Sequence, residues 1–483
     1  MAPSPAWRFE ISTRLLSLLA LLMLAVPGIA RAGHVPAPAL SNIQVSHDRY
    51  LAHSEPALAV NPTNPSNLLA GSKLFTDPAH YQFKIGTYYS LDGGRHWHDS
   101  GVLPGFDSYA IVSDVSIAFG PDGTAYVCVL AWDGKKASGI FVSRSTDGGK
   151  TFSDPVPVSV DTTGAVFNDK PWIAVDDGND PNRGTIYVAW NMDGPDAMDG
   201  DALHPQAAAG LRARTSADSG IAVARSTDGG KSFAPYQIVA PFDQQHFYLG
   251  AIPAVAPNGT LHVAFAAFDG TGKIDAMVTV TSRDGGKTFS APASAVSDVV
   301  PIPNHLPHGT FRNTSMPSFA VSPADGSMVL TWADYRYGDA DIMASTSTDG
   351  GHNWSAPVRV NHDRIGNGID QFEPEIAVAP GGVYTCMWFD RRWSPGNRFI
   401  DVAIAQSSND GRTFGRALRV TAHSWNPAID APQPEGKSSN TFIGDYQALA
   451  VTNHAAHPLW NDTQNGRSQQ IRTATIAPSL FRR

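Results

Sequence analysis

Ser145-Thr146-Asp147-Gly148-Gly149-Lys150-Thr151-Phe152 is a turn written in residue types. The Ser and Asp oxygens accept backbone N–H bonds, the glycines take positive φ, and the aromatic ring anchors the turn in a sheet. The same pattern, Ser-x-Asp-x-Gly-x-x-aromatic, recurs from Ser90 to Trp97, Ser226 to Phe233, Ser282 to Phe289, Ser347 to Trp354 and Ser407 to Phe414, the last with Asn409 for Asp. One octamer is a weak signal, but six at the spacing of a four-stranded repeat are a strong one.

A second element precedes each octamer. It reads Ala57-Leu58-Ala59-Val60, Ser116-Ile117-Ala118-Phe119, Trp172-Ile173-Ala174-Val175, Pro253-Ala254-Val255-Ala256, Ser318-Phe319-Ala320-Val321, Glu375-Ile376-Ala377-Val378 and Ala448-Leu449-Ala450-Val451. A Pro/Asn/Asp/Gly turn and another apolar run, such as Thr185 to Trp190, follow most of them. Each unit therefore reads as strand A, a tight turn, strand B, strand C running into the octamer, and strand D after it. Strands this short and regular predict an all-β protein, a β-propeller of four-stranded blades. Seven strand A elements predict seven blades, or six if the last unit is only a tail. That last unit stops without an octamer. The missing strand is expected at the other end, where Ile43-Gln44-Val45-Ser46-His47-Asp48-Arg49 resembles the strand D segment Val358 to Arg364. Pairing there would close the ring and leave no open sheet edge.

Arg8 and Arg14, the apolar run Leu15 to Ile29, and Ala30-Arg31-Ala32 have the form of a cleaved export leader. The run falls short of the roughly 20 apolar residues of a spanning helix. Residues 1–32 are thus expected to be a signal peptide and 33–483 a single propeller domain, secreted or periplasmic, with no membrane association after cleavage. Losing Arg8, Arg14, Arg31 and Glu10 removes a net +2, so the formal charge of −9 becomes −11. That excludes a basic face for phosphates, so no nucleic-acid partner is expected. The two cysteines, Cys128 and Cys386, fall on second strands of non-adjacent units, which predicts buried free thiols in place of a disulfide. A monomer without cofactor is expected.

Strand polarity separates two faces. The octamers and A–B turns share one, where a scaffolding role is expected. The B–C and D–A loops share the other, which collects the chemistry. Three positions before the Ile of strand A, the units carry Glu55, Asp114, Lys170, Gly250, Met316, Glu373 and Tyr446, with Asp169 and Asp445 one residue earlier. Strand B ends add Asp133, Asp193, Asp269, Asp334 with Arg336, Asp390 with Arg391 and Arg392, and Asp462. Such convergence at one mouth is the usual place for a propeller's ligand. The Asp334/Arg336 and Asp390/Arg392 pairs repeat, so a structural role competes there with a binding one. Two other clusters carry less: the insertion Asp193 to Gly220, with Asp193, Asp196, Asp199 and Asp201, lacks calcium-loop spacing and reads as a lid, and His305 with His308 is a thin basis for zinc. No metal site is expected.

The six octamers make the chain similar to the sialidase-like, or BNR/Asp-box, superfamily. The resemblance implies a carbohydrate ligand and an exo-sialidase-like glycoside hydrolase, using a Tyr–Glu pair, an Asp acid and three arginines for a substrate carboxylate. On this sequence, Tyr446 and Glu373 resemble the pair, Asp445 stands beside it, Asp114 is the candidate acid, and Arg312 and Arg392 resemble two of the arginines. Arg49 or Arg336 would be the third, and Glu55 would join the binding set. The chain departs from the superfamily's sialidases in having no Arg-Ile-Pro tripeptide and in its expected seven blades. A non-catalytic glycan- or protein-binding propeller and a polysaccharide lyase are the alternatives.

Overall fold

The fold follows from pairing short apolar strands with their sequence neighbours. The computed structural model describes residues 40–77, 82–194, 219–243, 245–269, 271–309, 311–313, 315–429 and 442–482. The expected leader, residues 1–32, and the lid residues Asp196, Asp199 and Asp201 lie outside them. Among the described residues there is no α-helix, and no helix long and apolar enough to cross a membrane. Cys128 and Cys386 are free and buried.

Five antiparallel sheets have four strands each, and a sixth, of eight strands, is two four-stranded runs joined by a single parallel pairing at Phe83 and Ile111. We number the four-stranded runs as units one to seven by their first strands: Leu51–Val60, Ile111–Phe119, Phe167–Val175, Phe247–Val255, Ser318–Val321, Gln371–Val378 and Ala448–Val451. In units one to six the chain adds strands in sequence order. The seventh is different: its fourth strand is Ile43–Gln44, pairing antiparallel with Gln470–Thr473 through Ile43↔Thr473 and Gln44↔Arg472.

Each octamer forms the turn its residues require. In Ser145 to Phe152, the Ser145 hydroxyl donates to Asp147 Oδ1 at 2.8 Å and accepts from Gly149 N at 2.9 Å. Asp147 Oδ1 also accepts the Lys150 and Thr151 amides at 3.0 Å, and Thr151 Oγ1 donates to Oδ2 at 2.6 Å. Gly149 has φ 95°, a value only glycine takes without strain. In unit six Asn409 Oδ1 accepts from Ser407 and from the Thr413 amide, so the amide oxygen substitutes for the carboxylate.

A second repeated device locks strand B. The indoles of Trp332, Trp388 and Trp460, all fully buried, donate to Asp334, Asp390 and Asp462 at 3.0, 2.8 and 2.8 Å. Arg336, Arg392 and Arg472 then bind those same carboxylates at 2.7, 2.6 and 2.9 Å. Each buried carboxylate is thereby satisfied by an indole N–H and a guanidinium, as a charge removed from water must be.

Two outcomes test this reading of the turn. Ser145→Ala leaves the buried Gly149 amide without its acceptor and should cost about 1–3 kcal/mol in chemical denaturation. Burial acts to raise the Asp147 pKa, but the bonds from Thr151, Ser145 and Lys150 outweigh it and hold the group at about 2. A folded pKa below the unfolded value of about 3.9 means the contribution is complete above about pH 4 and is lost as pH falls towards 2. Thermal midpoints of Asp147→Asn should therefore fall less steeply than wild type across that window.

Candidate functional site

The candidate residues are aimed by a fault built into the first strands. Pairing with the second strand slips between Ser54 and Ala57, Ser113 and Ser116, Asp169 and Trp172, Leu249 and Ile252, and Phe372 and Glu375. Inside these bulges Glu55, Asp114, Lys170, Gly250 and Glu373 take φ of 52°, 52°, 48°, 74° and 49°. Only Gly250 does so freely. A side chain in the left-handed region costs about 1–2 kcal/mol, and such strain clusters where a side chain has a job. In units five and seven the left-handed residues are Ser315 and Gly444, before the expected Met316 and Tyr446.

The bulged residues meet in one buried charge network. Asp445, with no exposed surface, receives Arg312 Nη2 on both oxygens at 2.7 and 2.8 Å and Lys170 Nζ at 3.1 Å. Lys170 also lies 3.8 Å from Asp114. Lys73, from the second strand of unit one, reaches Glu55 at 2.6 Å. The Phe442 ring lies between two of the cations, 4.3 Å from Lys73 Nζ and 5.0 Å from the Arg312 guanidinium carbon, a double cation–π contact. Glu373 Oε2 accepts from Gln447 Nε2 at 2.9 Å, and its backbone amide donates to Ser315 Oγ at 3.1 Å. The Tyr446 ring packs edge-on against Trp172 at 5.0 Å.

This environment drives the carboxyls apart. Burial opposes ionisation of Asp445, yet Arg312, Lys170 and Lys73 together hold it well below the usual carboxylate range. Burial lifts Asp114 to about 6, with Lys170 offsetting only part of the effect. Glu373 is raised well above its ordinary value by burial, reinforced by Asp445 and Glu55 and only partly opposed by Gln447. Glu55 and Asp169 are raised by burial too. Tyr446 is pushed far up by burial and by Glu55, Asp114, Asp445 and Asp169, so the resting protein keeps it as a phenol. Lys170 stays charged despite burial because Asp169, Asp114, Asp445 and Glu55 surround it.

Of the residues expected from sequence, Glu55, Asp114, Arg312, Glu373, Asp445 and Tyr446 are thus gathered through this network. Arg336 and Arg392 are held in the indole–Asp–Arg clamps of strand B. Arg49 is exposed, over the Tyr50 ring. Sequence reasoning missed Lys73, Phe442 and Gln447 as members of the site. Lys73 had one signal, the lone cation of the largely apolar strand Leu68–Asp77, whereas the other two lie on the approach to the last first strand, where no repeat motif marks them. Among the described residues no group of three His, Cys, Asp or Glu side chains forms a metal ligand set.

A family model described as "BNR repeat-like domain" matches residues 203–469, more than half of the chain. The chain belongs to this BNR repeat-like family. No curated protein matches its sequence. Among solved structures, the BNR-like chain is similar to the Hadza microbial sialidase Hz136, at 16% identity and TM-score 0.48 over 85% of this chain and 74% of that one. It is similar to the GH93 alpha-L-arabinofuranosidase of Fusarium graminearum, at 12% identity and TM-score 0.49 over 75% and 97%. A PL25 ulvan lyase matches at 13% identity and TM-score 0.46 over 70% and 76%. No shared activity follows from likeness at this level.

The network makes a quantitative demand. Lys170→Met would strand Asp445 and Asp114 in the interior with one cation fewer and should cost about 3–5 kcal/mol in chemical denaturation. Asp114 has a folded pKa above its unfolded value. Its contribution is therefore full below about pH 4 and lost as pH rises through about 6. Asp114→Asn should flatten the decline of the thermal midpoint across that interval.

Proposed function

We propose that this chain is an exported glycan-acting protein, a sialidase-like glycoside hydrolase working from the centre of a seven-bladed propeller. Two features support the ring. First strands of successive units touch in cyclic order, including the last with the first, and the N-terminal strand pairs into unit seven. Secretion or release to the periplasm, and a monomer, complete the reading.

One observation carries the catalytic part: within one network Asp445 is held ionised while burial lifts Asp114 to about 6 and Glu373 well above its ordinary value. Carboxyls whose environments force their pKa values apart are what acid catalysis of glycoside cleavage requires. In this reading Asp114, at about 6, is the general acid. Tyr446 is the nucleophile, made reactive only when an incoming anionic substrate draws Arg312 off Asp445 and frees that carboxylate to accept the phenolic proton. Glu373, tied to Gln447, orients the segment that carries Tyr446. An acidic sugar is the substrate class that fits, because its carboxylate competes for the same guanidinium.

A second reading has its own support. Asp445, Glu373 and Glu55 are at most 1% exposed, and cations already occupy Asp445 and Glu55. A network so closed suits a scaffold beneath a binding mouth, which makes a non-catalytic glycan-binding propeller the rival. A polysaccharide lyase would use Tyr446 as base and release unsaturated, ultraviolet-absorbing products.

A panel of aryl glycosides, including sialosides, and acidic polysaccharides separates them. The hydrolase reading expects turnover that falls about 10²- to 10⁴-fold in Tyr446→Phe and in Asp114→Asn, with kcat declining above about pH 6 in wild type. Intact glycan binding without turnover of any substrate would sink it in favour of the binding module.

A further inference from the structure

The burial of Arg391 is not matched by hydrogen bonds. Its guanidinium has no exposed surface, and its Nε and Nη2 have no hydrogen-bond partner. Nη1 donates to the Pro307 carbonyl at 2.8 Å, and Asp370 Oδ2 lies 3.6 Å away. Burial lowers its pKa to about 10, with Asp370 opposing, so the group is still a cation at neutral pH. Desolvating a charge with two of its nitrogens unpaired is costly, and a buried donor left without an acceptor calls for a physical reason.

The clamp of strand B does not supply that reason. Unit five has the same clamp with Tyr335 between Asp334 and Arg336, and in unit seven Thr463 follows Asp462. The device is therefore complete without a cation at this position. In unit six itself Arg392, and not Arg391, binds Asp390.

What the guanidinium does meet is two rings. Its carbon lies 5.4 Å from the centroid of Phe311 and 5.8 Å from that of Phe372, and the two rings are 5.6 Å apart. Both rings are fully buried, where a cation over an aromatic face is held most strongly. The residues that follow these rings in the chain are Arg312 and Glu373. One side chain thus fastens the approach to Arg312 onto the strand Gln371–Val378, which presents Glu373. The approach is itself closed by Gly309 N donating to Leu306 O at 2.8 Å and Asn313 N donating to Asn304 O at 2.7 Å, and Pro307 lies inside that turn. A second tie between the same segments runs from Glu373 N to Ser315 Oγ at 3.1 Å. Burial raises the Glu373 carboxyl and Arg312 is among the charges that oppose it, so the spacing of the two bears on their chemistry.

We propose that Arg391 is a positioning residue: through Phe311 and Phe372 it sets where Arg312 and Glu373 stand, and so how Arg312 is shared between Asp445 and an anionic substrate. Lysine is no substitute, because a point charge on a flexible stem cannot lie against two rings and hold a carbonyl at once. The effect on substrate rests on the role proposed above for Arg312. The effect on the Arg312–Asp445 pair does not.

The test is a double-mutant cycle of Arg391→Met and Arg312→Gln in the full chain, with two readouts. Chemical denaturation needs no activity: if Arg391 acts through Arg312, the stability lost in the double variant is smaller than the sum of the two single losses. The second readout compares kcat/KM on an aryl sialoside and on its methyl ester. Arg391→Met should lower the value for the acid about tenfold or more and that for the ester less than about threefold, because only a carboxylate feels a displaced guanidinium. A general loss of folded protein would lower both alike. Strictly additive stability losses, or equal losses on acid and ester, overturn the proposal. Where wild type turns over neither compound, the hydrolase reading has failed and the denaturation cycle alone decides. If Arg391→Met does not fold, Arg391→Lys enters the same cycle with the same expectations.

Discussion

Five carboxyls, those of Glu55, Asp114, Asp169, Glu373 and Asp445, share the middle of this protein with three cations, Lys73, Lys170 and Arg312. Charge in a poorly solvated interior has to be matched or discharged. Asp445 takes the largest share of the cations and stays ionised, whereas burial, offset only in part by their neighbours, raises the pKa values of the others. The split between acid and anion that gives this region its chemical interest is therefore a consequence of imbalance. It does not require each group to be tuned separately.

The bulges in the first strands are what bring these charges together. A regular first strand alternates its side chains between the two faces of its own sheet, towards neighbouring units. Placing one extra residue in the left-handed region turns Glu55, Asp114, Lys170 and Glu373 out of that alternation. The strain of four non-glycine residues at positive φ is offset by the ion pairs and hydrogen bonds those residues then make. Where no charge is presented, in unit four, the position is simply Gly250. Elsewhere the repeat meets buried charge with local devices, such as the octamer turn and the indole–Asp–Arg clamp, each complete within a few residues.

That difference in range sets what could be read beforehand. The octamer's hydrogen bonds join residues at most four apart, so Ser145 to Phe152 carries its geometry in its own letters. The joining of Ile43–Gln44 to Gln470–Thr473 was legible for another reason: a lone D-like strand at one end matched a unit lacking one at the other. Asp114, Glu373 and Tyr446 could be nominated because the repeat register puts them at equivalent places. The register also misled slightly, since in units five and seven the left-handed residue falls earlier, at Ser315 and Gly444.

The sequence alone determined the all-β class, the four-stranded units and their turns, because each rests on short-range backbone hydrogen bonding that repeated residues spell out. Tertiary structure decided who neutralises whom. Lys170 and Asp445 stand 275 residues apart, and nothing in either neighbourhood announces the other. Arg392 and Arg312 look alike in the sequence, yet one is bound by the aspartate two residues before it and the other crosses to Asp445. Pairing of buried charge depends on distances through space, and those exist only once the units are packed side by side.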